Sequence, residues 1–111
     1  PYGLAAQQVL QRFGPWHMLQ NRMVLGENVG QAAQFALSGS VDAALLPYSL
    51  AIDPALQESG QFRNLAGDWY APVRQRMVLL KNGGRSATEL YEFIASETAR
   101  QIIRKYGYNL P

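Results

Sequence analysis

The sequence predicts an α/β fold, parallel strands joined by crossover helices, and three observations from one stretch carry that reading. Met23-Val24-Leu25 is a short apolar run that stops at Gly26-Glu27. From Val29, apolar side chains recur at Ala32, Ala33, Ala36 and Leu37, the spacing of one helix face, with Asn28 placed as an N-cap and Gly39 as a terminator. Ala43-Ala44-Leu45-Leu46 is then a continuous apolar run too short for a helix and closed by Pro47, which reads as a strand buried on both faces. Strand, helix and strand in that order make a right-handed crossover, and it aims the helix N-terminus at the carboxyl edge of the sheet.

The remaining elements follow in chain order. Residues 1–13 form a helix with Ala6, Val9, Leu10 and Phe13 on its apolar side, stopped by Gly14-Pro15. Trp16, Met18 and Leu19 make an apolar cluster expected beneath the helix end, and the single histidine among them, His17, has no partner type for metal or nucleophilic chemistry and reads as structural. Residues 48–56 hold a possible helical turn broken at Asp53-Pro54, residues 57–60 read as loop, and residues 61–65 as a short edge strand. Residues 67–72 are an aromatic connector in which Trp69 and Tyr70 cover one end of the core or a hinge.

Residues 73–80 read as a further strand, ended by Lys81-Asn82-Gly83-Gly84. Ser86 and Glu89 have capping-box spacing before a helix face of Ala87, Leu90, Tyr91 and Ile94. Ser96 caps a last helix, with Ala99, Ile102, Ile103 and Tyr106 inward, Arg100, Arg104 and Lys105 toward its end, and Gly107 closing it.

Composition narrows the function classes. At 111 residues with 48% apolar and 16% charged side chains, the chain is globular in character. Its ten Lys and Arg residues are spread from Arg12 to Lys105 and the formal net charge is +2, so no nucleic-acid partner is expected. The absence of cysteine excludes disulfides and thiolate metal sites. No Ser, Thr or carboxylate stands in a pattern that supplies a nucleophile with a base, so neither catalytic residues nor a cation site are assigned and no enzyme is expected.

What remains is anion chemistry at two helix openings, Tyr2-Gly3 and Asn28-Val29-Gly30. Backbone N–H groups at a helix start converge and gain from the helix dipole, so they hold an oxyanion without a cationic side chain. Fixed neutral donors also favour a fully deprotonated oxyanion, because a protonated one would set donor against donor.

Four stretches, taken together, resemble a known family. Pro1-Tyr2-Gly3-Leu4-Ala5-Ala6 through Gly14-Pro15-Trp16, then Val24-Leu25-Gly26-Glu27-Asn28-Val29, then Tyr70-Ala71-Pro72-Val73-Arg74-Gln75, then Ala99 through Tyr108 look like the periplasmic molybdate-binding proteins of ABC-type importers, over that family's C-terminal half. The resemblance implies the C-terminal portion of a two-lobed periplasmic-binding-protein fold. Residues 1–75 would be a partial second lobe carrying half of the anion site, and residues 76–111 a segment returning to the first lobe.

The implied ligand residues are Tyr2, after the proline, and Val29, through its backbone N–H, with Asn28, Gly30 and Tyr48 as secondary candidates. The implied ligand is molybdate or tungstate, carried as cargo with no cofactor. The implied partners are the membrane subunits of an ABC importer, and the implied location is the periplasm, with the export signal outside this chain. Alternatives stay open: a ligand-sensing domain of a transcriptional regulator on the same fold, another oxyanion such as sulfate or phosphate, and, a distant fourth, a metal-dependent hydrolase. A chain built to pack on a missing lobe is also expected to self-associate, with exchange of its C-terminal helices as one route.

Overall fold

The computed structural model describes residues 1–110 as a set of helices joined by extended connections. They are α1 (Tyr2–Arg12), α2 (Trp16–Leu19), a 3-10 turn (Gln20–Arg22), α3 (Val29–Leu37), α4 (Tyr48–Ala51), α5 (Pro54–Ser59), α6 (Arg85–Ala95) and α7 (Glu97–Lys105). The chain divides into two compact units, Pro1–Val73 and a second that begins at Arg74. In the first, α1 packs on α2, and α3 and α4 both pack on α5; in the second, α6 packs on α7.

The expected parallel sheet is not there, and the α/β assignment is corrected. Helix accounts for 52% of the chain, and no strand or bridge occurs among the described residues. A strand exists only through hydrogen bonds to a neighbour, and none of the runs 23–25, 43–46, 61–65 or 73–80 forms such a ladder. The backbone of Met23 is extended, at φ −84° and ψ 136°, so the local preference is met there while the pairing is not. Ala43, Ala44 and Leu45 are exposed rather than buried on both faces. In residues 77–80 a period of two survives in exposure: Met77 and Leu79 are 41% and 38% exposed, Val78 and Leu80 78% and 72%. All four line an open apolar groove of about 310 Å3 with Ala87, Leu90, Tyr91 and Ile94 of α6.

The helix ends show how local sequence set these elements. Asn28 caps α3 from an extended backbone, its side chain accepting from the Gln31 N–H at 2.9 Å. At the other end Gly39 takes φ +69°, which lets Gly39 N–H reach the Ala36 carbonyl at 3.2 Å and Ser40 N–H the Phe35 carbonyl at 3.1 Å. The same paired bonds close α7, from Gly107 (φ +83°) to Arg104 and from Tyr108 to Ile103. Ser96 caps α7 as expected, accepting from Ala99 N–H at 3.3 Å.

Two local readings are corrected. The helical turn α4 does stop ahead of Asp53-Pro54, as expected, but residues 57–59 are not loop, because the same pair starts a new helix: Asp53 accepts from Ala55 N–H at 3.0 Å and Pro54 opens α5. The capping box at Ser86 does not form, because α6 begins at Arg85 behind Gly84, which leaves Ser86 inside the first turn. Glu89 instead pairs with Arg85 at 2.7 Å. Met18 also differs, being 79% exposed rather than packed beneath α1.

Among the described residues only Val9 in α1, Ala33 in α3 and Ala99 in α7 are buried, each still 5–6% exposed, and two of these are alanines. The accessible surface is 9121 Å2, whereas two separate compact bodies of these lengths would expose roughly 7,000 Å2 in total. Much of the apolar surface therefore has no cover from the chain itself.

Candidate functional site

The best-defined candidate is the start of α3, built from four consecutive residues and one side chain reaching back. Asn28 Oδ1 takes the Gln31 N–H, the Asn28 carbonyl takes the Ala32 N–H at 3.2 Å, and the Gln31 side-chain oxygen takes the Glu27 N–H at 2.6 Å. These bonds satisfy the N–H groups of Glu27, Gln31 and Ala32, while those of Val29 and Gly30, the first two of the helix, have no hydrogen-bond partner among the described residues. Two adjacent N–H groups at the positive end of a helix form the minimal cradle for an oxygen anion. The residue Val29 as a whole is 36% exposed.

Gly26 makes this turn possible. A Cβ there would lie 2.8 Å from Ala32 N and 2.9 Å from Asn28 O, closer than carbon atoms sit against backbone. Only glycine lets the incoming chain fold down onto the helix opening. Gly30 is constrained less tightly, since its added Cβ would meet Asn28 Oδ1 at 3.2 Å. Neither Gln31 nor this role of Gly26 was anticipated from sequence, although Asn28 and Gln31 have capping-box spacing.

Tyr2 and Tyr48, like Val29, each occupy the first position of a helix in the same unit. Tyr2 opens α1 behind Pro1, whose carbonyl accepts the Ala5 N–H at 3.1 Å. Tyr48 opens α4 behind Pro47, and its ring lies against Phe62 with centroids 5.9 Å apart at 59°. Asn28, Val29 and Gly30 are thus brought into one arrangement by α3, while Tyr2 and Tyr48 are placed by other helices of the unit. No group of three His, Asp or Glu side chains suited to a cation occurs among the described residues.

The clearest polar feature of the first unit is thus a helix opening, whose N–H groups are suited to holding an anion. Across residues 1–109 the sequence matches the family of bacterial extracellular solute-binding proteins, and the chain belongs to that family. Among its relatives, the molybdate-binding protein ModA of Rhodobacter capsulatus is 37% identical over 110 residues, covering 97% of this chain and 42% of that protein. The protein of the same name from Azotobacter vinelandii is 32% identical, covering 99% of this chain and 44% of its own length. A putative ABC transporter substrate-binding lipoprotein of Bacillus subtilis, YvgL, is 23% identical over 97% of this chain. The chain thus spans less than half the length of these relatives. No solved structure gives a significant match.

Proposed function

We propose that this chain is part of a solute-binding protein that captures molybdate or tungstate in the periplasm and delivers it to the membrane subunits of an ABC importer. The observation that carries the reading is the alignment, nearly end to end, with two relatives named molybdate-binding proteins. The free N–H pair at the start of α3 supplies a chemical reason, because it is a neutral donor set of the kind a dianion needs when it must be bound and then released. The anion is cargo and the protein needs no cofactor to hold it.

Tyr2, Val29 and Gly30 are the donors we assign to the anion, with Asn28 fixing the turn and Tyr48 a further hydroxyl. The division between Val73 and Arg74 we read as the crossing between lobes, residues 1–75 belonging to the second lobe and residues 76–111 to the segment that returns to the first. Competition calorimetry on the full-length protein tests the ligand assignment. Molybdate and tungstate should bind well above sulfate, since rigid donors measure the anion's radius; equal affinity for sulfate would leave only the oxyanion class.

Self-association of the 111-residue chain is the second part of the proposal. It is supported by the uncovered apolar surface, with Val78 and Leu80 more than 70% exposed. Exchange of α6 and α7 between copies is one way to cover it. Light scattering should report dimers or larger species and calorimetry weak molybdate binding. A monodisperse monomer with submicromolar affinity would overturn both the lobe assignment and the exchange.

A further inference from the structure

We propose that Gln31 is the charge-selecting residue of the α3 opening: its amide clamps the first turn as a carboxylate would, but adds no negative charge beside the N–H groups of Val29 and Gly30. The inference rests on the anion-binding reading of that opening and names what lets a doubly charged ligand enter it. Gln31 closes two bonds across the turn. Its backbone N–H donates to Asn28 Oδ1 at 2.9 Å, and its side chain folds back so that Oε1 accepts the Glu27 N–H at 2.6 Å. Of residues 27–31 it alone is partly withdrawn from water, the other four being exposed.

Glutamate would serve stability better at this third position of the helix. A carboxylate accepts the same bond more strongly because it is charged, and it gains from the helix dipole besides. The chain forgoes that gain at α3, which has no acidic residue in its first turn and a neutral cap, Asn28. The other two helices with a side-chain cap carry negative charge at their start: α5 is capped by Asp53, and α7 has Glu97 in its first turn, 3.0 Å from Arg104. Glu27 is exposed and stands ahead of the Asn28 cap, where water and ions screen its carboxylate. A carboxylate at position 31 would instead be fixed against the opening by its bond to the Glu27 N–H, within a few ångström of any anion held there. Like charges so placed repel, and twice as strongly for a dianion as for a monoanion.

Two near-isosteric variants of the full-length protein separate clamp from charge. Gln31→Glu keeps the acceptor and adds charge; Gln31→Met removes the acceptor and adds none. Without ligand, Gln31→Glu should melt no lower than the parent and Gln31→Met below it. In calorimetry with molybdate the order should reverse, Gln31→Glu binding roughly tenfold or more weakly than the parent and Gln31→Met losing less. A purely structural role would instead make affinity follow the melting order. If Gln31→Glu binds as the parent does, binds more tightly than Gln31→Met, or melts below Gln31→Met, the role of Gln31 is overturned while the anion site stands, provided Val29→Pro loses affinity. A parent that takes up no molybdate, or a Val29→Pro variant that binds unchanged, overturns the anion reading itself and this inference with it.

Discussion

Val29→Pro in the full-length protein is expected to lower affinity for molybdate roughly 5- to 150-fold, the worth of about 1–3 kcal/mol for one lost hydrogen bond to a charged ligand. The substitution is unusually clean because the site accepts proline. Val29 is the first residue of α3, where proline is favoured and the missing N–H breaks no helical bond. Asn28 before it is already extended, at φ −150° and ψ 170°, the conformation that a following proline requires. Val29→Ala keeps the donor and should bind as the parent does. If the proline variant folds and binds unchanged, the start of α3 is not the anion site.

Gly26→Ala should destabilise the first unit by about 1–3 kcal/mol, the usual cost of forcing an extra carbon into a filled space. The new Cβ has nowhere to go, because the atoms it meets, Ala32 N and Asn28 O, are themselves bonded to each other at 3.2 Å. Relief must come from moving the α3 opening, so the same variant should also lose anion affinity in the full-length protein. Gly67→Ala is the matched control, since a Cβ there meets nothing within 4 Å. Denaturant unfolding followed by circular dichroism distinguishes the two. Equal midpoints would mean that the close approach at Gly26 relaxes without strain.

What the sequence disclosed about this chain was short-range. Asn28, Gly39, Ser96 and Gly107 act within a turn of their own position, and each was legible because a cap or a left-handed residue needs no distant partner. Residues 57–59 and the capping box at Ser86 failed for a related reason. Whether Asp-Pro opens a new helix or a serine caps one depends on a shift of one or two residues in the register, and at α6 the helix starts at Arg85 behind Gly84. The strands failed differently. Residues 43–46 and 73–80 have strand composition, but composition specifies an extended backbone and not the neighbour that would make it a strand.

The candidate site divides along the same line. Asn28, Val29 and Gly30 could be picked out as a helix opening, whereas Gln31 folding back onto Glu27 and Gly26 lying against Ala32 depend on where the turn places atoms. The hydrogen bonds of Gln8 to the Ala71 N–H and of Arg12 to the Asp68 carbonyl gave no signal at all, since they span 63 and 56 residues.

The unpaired run 77–80 bears on how copies of this chain meet in a crowded solution. Segments of about six or seven apolar, β-prone residues stack into fibrils, identical strands rising in register about 4.8 Å apart, and this run is four residues long with cations on both sides. Arg74 and Arg76 precede the run and Lys81 follows it, all exposed. In a stack of that kind each cation would stand directly above its own image, and the repulsion would accumulate with every layer. Ordered stacking of this segment is therefore expected to be disfavoured most at low ionic strength and less as salt screens the repulsion.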